Sequence, residues 1–319
     1  YNPSGATLTM NGGEIAGNSA DNNGGGVCNT GSNARFTMTG GKIAGNATKR
    51  HGGGVCNNQE ARFVMRDSEI SGNEANGKEG LHNVYGGGIY NVSYLEITRS
   101  KISNNKALNN QVHTKGGGIY HESNTILKIT DSEISDNAAY YSGGGMHFNA
   151  LGSSPRLELQ RNTIRENKVD VAGAGLYIAN SSTTFSLTLK DNLIIGNESN
   201  RNGGGVFIDG GNNGMTYEIG NNKIKGNKAN IGAGLYINNT TLEMRNDSIS
   251  NNEAGSGGGV YLGYKTSFTM KESLTISGNK AKNGAGVYVD SGSSSNPTTL
   301  AMTGGTISGN TASQYGDRK

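Results

Sequence analysis

Along the whole chain, apolar residues stand in short alternating groups separated by glycine, asparagine and serine, and the groups return at a steady interval. The clearest marker is Ile-x-x-Asn, which occurs eleven times and ends at Asn18, Asn46, Asn73, Asn105, Asn137, Asn167, Asn197, Asn227, Asn252, Asn279 and Asn310. Successive Asn residues lie 25 to 32 positions apart. Upstream of each Ile is an apolar-x-apolar triplet, as in Leu8/Met10, Phe36/Met38, Phe63/Met65 and Leu95/Ile97, on to Leu300/Met302. Its last member precedes the Ile by five residues in every copy except the one near Met270, where the gap is six. A glycine-rich triplet and an aliphatic follow the Asn: Gly24-Gly25-Gly26-Val27 in the first copy, Gly284-Ala285-Gly286-Val287 in the tenth.

Each repeat thus offers three short segments of period-2 alternation, the signature of strands. Gly triplets and β-branched or polar residues recur too often to support a helix. Propeller blades need about 40 residues or more, and the Leu/Asn consensus of leucine-rich repeats is absent. The predicted fold is all-β: a right-handed parallel β-helix of about ten coils, three short strands each, with an Asn ladder. Residues 1–319 read as one such domain and as an internal segment of a longer solenoid, a processed or excised piece that opens at Tyr1.

Composition agrees with a thin core repeated many times. Hydrophobic residues are 32% of the chain, with 53 Gly, 3 Pro and no Trp. The net charge of +3 is dispersed, which speaks against nucleic acid or an anionic membrane as partner. No stretch approaches the roughly 20 apolar residues of a membrane helix, so membrane insertion by this segment is not expected.

The recurring Asn has a physical task. Stacked at one corner, its amide can bond its own turn and the Asn of the next coil, where an orphan polar group would cost ~1–3 kcal/mol. The residue before it is Gly, Asn or Asp except at Glu166, which suggests a left-handed backbone there. The sequons at Asn46 and Asn197 fall on this buried row and are not expected to carry sugar. The Gly triplets read as tight corners. A phosphate cradle would need a following helix start, and no copy has one.

Outward positions also stack, about 4.8 Å apart. Glu14, Lys42, Glu69, Lys101 and Glu133 alternate in sign, as do Glu96, Lys128 and Glu158, and are read as self-neutralising rows that fix register. The position after the triplet aliphatic runs Cys28, Cys56, Tyr90, Tyr120, His147, Tyr177, Phe207, Tyr236, Tyr261, Tyr288. It is expected to point outward as an exposed aromatic ladder, stabilising by stacking and able to serve as a platform for sugar rings. Cys28 and Cys56 are adjacent in it and could be bridged or free.

His51, His82 and His113 lie in the corner between Asn and Gly triplet and are read as loop residues, with no metal site expected. That corner is longest at 76–85 and 108–115, and His82, Tyr85, His113 and Lys115 are the first candidates for specific binding. Acidic residues are scattered and mostly matched by bases. No pair stands out as general acid and base, even near Asp131, Glu133 and Asp136, so a polysaccharide lyase or hydrolase is a minor alternative. An ice-binding array of Thr9, Thr37, Thr188 and Thr269 is interrupted by Val64 and charged residues.

Gly-Gly-Gly-Val/Ile with Ile-x-x-Asn resembles the repeats of polymorphic outer-membrane proteins, marked by Gly-Gly-Ala-aliphatic and Phe-x-x-Asn. Gly304-Gly305-Thr306-Ile307-Ser308-Gly309-Asn310 is also similar to the arrays of adhesin-like surface proteins. The resemblance implies an extracellular or cell-surface protein in adhesion or host contact. Binding of a glycan or protein through a lateral face is the first expectation, and no cofactor is expected. A self-assembling filament module, stacking copies end to end, is the structural alternative.

Overall fold

The computed structural model describes residues 1–77, 83–109, 113–211, 216–291 and 296–312. The apolar-x-apolar triplets form one eleven-stranded sheet, from Thr7–Asn11 to Thr299–Met302. The Ile-x-x-Asn isoleucines sit mid-strand in a second eleven-stranded sheet, Glu14–Ala16 to Thr306–Ser308. The residues after the Gly triplets make a ten-stranded third, Val27–Thr30 to Val287–Val289. Neighbouring strands are parallel and in register, Ile70 for example lying between Ile43 and Ile102. The molecule is a parallel β-helix. Its coils are numbered here by their ladder Asn, Asn18 marking coil 1.

A fourth, interrupted row of very short strands follows the Asn corner, beginning Ser19–Ala20 and Ala47–Thr48. Two residues are too few to display alternation, so the sequence pattern gave no sign of it. Alternation elsewhere does set the interior. In coil 3, Phe63, Met65, Ile70 and Ile89 all point inward with 0% exposure.

The Asn ladder runs the length of the molecule. From Asn18 to Asn279, each backbone N–H and each Nδ2 donates to Oδ1 of the next Asn, at 2.8–3.1 Å. The preceding residue has positive φ in every coil, including Glu166 at 53°. Asn46 and Asn197 are buried, so neither sequon is presented to solvent. The glycine corners are required by backbone approach: a Cβ on Gly117 would lie 2.4 Å from the carbonyl oxygen of Ala138.

Two further polar rows were not anticipated. Asn2, Asn29 and Asn57 pass Nδ2–H to Oδ1 of the next coil at 2.6 Å, and Asn91 hands on to Nδ1 of His121. His121 is fully buried and stacks on Phe148, and burial pushes its imidazole down to about 3. The other row lies two residues before the Ile: Ser68, Ser100, Ser132, Asn162, Asn192, Asn222, Asp247. It stops there because the extra residue after Met270 puts the apolar Leu274 next in line. The signal for both rows was in the sequence, as Asn two places from an aliphatic already assigned inward.

The charged rows register as expected. Lys42 pairs with Glu69 at 3.7 Å, Lys101 with Glu133 at 3.5 Å, and Lys128 with Glu158 at 3.9 Å. A neighbouring left-handed corner repeats the alternation, Arg99 clasping Asp67 and Arg161 clasping Asp131 through two hydrogen bonds each, at 2.7–2.9 Å. Sign therefore changes coil by coil over coils 1 to 7: Glu14; Lys42; Asp67 and Glu69; Arg99 and Lys101; Asp131 and Glu133; Arg161; Asp191. Lys101→Glu would set three carboxylates in a row. It is expected to lower stability by about 0.5–1 kcal/mol in low salt and by less in high salt, measured by denaturant melts at two ionic strengths. Equal losses at both would contradict an electrostatic role.

Candidate functional site

The residues after the triplet aliphatic do stack into one column. Ring centroids are 5.6 Å apart for Tyr90–Tyr120, 5.1 Å for Tyr120–His147, 4.7 Å for His147–Tyr177 and 4.8 Å for Tyr177–Phe207. The column continues through Tyr236 and Tyr261 to Tyr288 at 4.5–5.1 Å. It lies outside the main core, as predicted. It is not exposed, which corrects the expectation of an open aromatic face. Tyr120, His147, Phe207 and Tyr261 retain 1–8% of their surface, and Tyr90, Tyr177, Tyr236 and Tyr288 are half-buried.

The cover comes from the residue five places upstream in each coil. Lys115, Ser142, Ala172, Asn202, Ile231 and Ser256 form a row of parallel bridges along the column. The first glycine of the triplet, at positive φ, folds this row back so closely that a Cβ on Gly257 would stand 2.7 Å from Cβ of Tyr261. Sequence alternation fixes which way a side chain leaves its own sheet. It carries no information about a neighbouring corner folding over it.

The phenol ends find polar partners. Tyr120 Oη–H donates to Glu122 at 2.6 Å and Tyr261 Oη–H to Asp290 at 2.6 Å. Burial pushes the Tyr90 and Tyr177 hydroxyls up to about 12 and that of Tyr120 well beyond. His147 is held far below its ordinary value by burial, with Lys115 adding to the effect, and Ser142 Oγ lies 2.9 Å from its Nδ1. A row of neutral rings makes a rigid rib, with little of it left for a ligand.

The chain matches no family model, no curated protein and no solved structure.

The corners of coils 3 and 4 are the longest in sequence between ladder Asn and Gly triplet. Val84–Tyr85 and Thr114–Lys115 pair with each other as the first rungs of the covering row. Tyr85 is drawn onto the column, 4.4 Å from Tyr120 and 5.1 Å from His51. His51 Nδ1 accepts from the Tyr85 N–H at 3.2 Å, so this loop histidine serves the stack. Lys115 is half-buried with Nζ 5.8 Å from the Tyr85 ring centre, and burial lowers its pKa. His113 alone of the described candidates is exposed, set edge-on to half-buried Tyr141 at 4.4 Å and 87°. His82 lies outside the described residues. Tyr141, which the sequence reading passed over, is the residue that joins His113 to the body of the coil.

Cys28 and Cys56 are free thiols in register at the head of the column.

Proposed function

We propose that this chain is a non-catalytic segment of an extracellular surface protein, a stiff stalk that binds a glycan through one lateral face. The observation carrying this reading is the pairing of exposed His113 with half-buried Tyr141, standing where the longest corners interrupt the repeat. A sugar can lay its C–H face on a tyrosine ring while its hydroxyls bond an imidazole, and loops on a rigid frame are where such contacts collect. The resemblance of the repeat to adhesin-like arrays supports the location. His113→Ala and Tyr141→Ala are each expected to weaken binding on a glycan array roughly tenfold or more, about 1.4 kcal/mol, with thermal midpoints unchanged. Undiminished binding by both variants, or no glycan bound by the parent chain, would sink this assignment.

A further inference from the structure

Cys28 and Cys56 are direct partners on adjacent parallel strands, Val27–Thr30 and Val55–Asn58. Cys28 is partly open to solvent and Cys56 is buried. Their side chains leave equivalent positions of neighbouring parallel strands in the same direction, which sets the two sulfurs side by side. Tyr90, the register partner of Cys56, closes the inner end.

This arrangement suits one ligand chemistry better than the obvious alternative. A disulfide needs its two Cβ atoms about 3.8 Å apart. In-register parallel strands hold equivalent atoms about 4.8 Å apart, with both side chains leaving in the same direction. Forming the S–S bond would pull together two strands that eight further rungs of a ten-stranded sheet keep in step. A two-coordinate ion asks for two sulfurs roughly 4.5 Å apart, twice a metal–sulfur bond of about 2.3 Å, which is close to the spacing that in-register strands impose. Thiolates select soft ions. Among the described residues no third His, Cys or carboxylate completes a larger donor set, which a tetrahedral zinc site would require. The nearby His51 ring is already stacked between Tyr85 and Tyr90.

We propose that Cys28 and Cys56 form a two-coordinate site for a soft monovalent ion of the copper(I) class. On uptake each thiol gives its proton to solvent and each sulfur donates one electron pair to the metal. No electron is transferred, and a singly negative dithiolate complex results. The half-exposed Cys28 provides the way in, and buried Cys56 the inner ligand.

The test is an anaerobic titration with copper(I) buffered by the chromophoric chelator bathocuproine disulfonate. One ion per chain is expected, with two protons released and a shell of two sulfurs in X-ray absorption. Cys28→Ser, at the more tolerant exposed position, is expected to lose uptake while keeping the parent circular dichroism, and Cys56→Ser to lose it as well. The site is overturned if the parent chain leaves all copper with the chelator, or if the double variant binds as the parent does. Spontaneous formation of a Cys28–Cys56 disulfide by glutathione disulfide, with no copper uptake before oxidation, would equally overturn it.

Discussion

Asn167→Ala is expected to lower stability by about 4 kcal/mol, roughly twice the loss expected from Tyr177→Ala. The Asn167 side chain accepts from the N–H and Nδ2 of Asn137, and its own Nδ2 donates to Ile134 O at 3.0 Å and to Asn197 Oδ1 at 2.9 Å. Alanine orphans partners in both neighbouring coils, in a place with 0% exposure where water cannot substitute. At about 1–3 kcal/mol for each buried group left unmade, and some relaxation, a total near 4 follows. Tyr177 loses two stacking contacts, to His147 and Phe207, and it is only half-buried, with no hydrogen-bonded partner in a neighbouring coil to strand. Its loss is mainly apolar area and ring contact, about 2 kcal/mol. Thermal midpoints of the two variants decide the matter. Comparable values would mean that the ladder is no more structural than the ring column.

Asp247→Asn is expected to stabilise the chain by about 3 kcal/mol at pH 8 and by very little at pH 4. Asp247 Oδ1 accepts from the Asn222 N–H at 2.8 Å and from Nδ2 at 2.9 Å, while Oδ2 is buried with no partner. Burial raises its pKa from the ordinary 3.8 to about 6, against the opposing hydrogen bonds from Asn222. The folded state therefore holds this proton more tightly than the unfolded chain does. Below about pH 4 both states are protonated and nothing is lost. Between about pH 4 and 6 the unfolded chain ionises first and stability falls, reaching its full deficit once the folded group has ionised too. An amide cannot ionise, and in the three preceding rungs Nδ2 donates to a carbonyl of the coil behind, Ile129, Leu159 and Leu189. Ile219 is the register equivalent for position 247. Urea melts of parent and variant at the two pH values provide the measurement, and a gain no larger at pH 8 than at pH 4 would refute the account.

Most of the architecture was legible in the sequence because a coil makes the same demands each time. Ile at one fixed distance from Asn gave the second sheet, the alternating triplets gave the first, and the residue before Asn gave the left-handed corner even where Glu166 departs from the consensus. The candidate site was much less legible. Alternation predicts that Tyr120 leaves the core, but its burial depends on Lys115 and Ser142, whose position is decided by a glycine corner and by pairing with other coils. Tyr141 sits in an unremarkable Ala-Tyr-Tyr-Ser stretch, and only the lengthened corner of the preceding coil brings His113 against it. Asp247 reads in sequence as one more acidic surface residue. Its buried place follows from being the last member of a row that the single-residue insertion in the next coil brings to an end.

The coil-by-coil change of sign works as a parity check on the stacking. A coil that packs one place out of step meets its own sign on both sides, at Asp67 and Glu69 as at Arg99 and Lys101, and the error is penalised at once. An error of two places restores the alternation and passes undetected. Such errors must be caught by features that do not repeat with period two: the long corners of coils 3 and 4, the change from Ser132 to Asn162 within one row, and the replacement of Asn by His121 in another. Near-identical repeats give a folding chain many almost equivalent ways to close. Over coils 1 to 7 charge disfavours odd displacements, and the irregular coils supply the fixed point from which the even ones are counted.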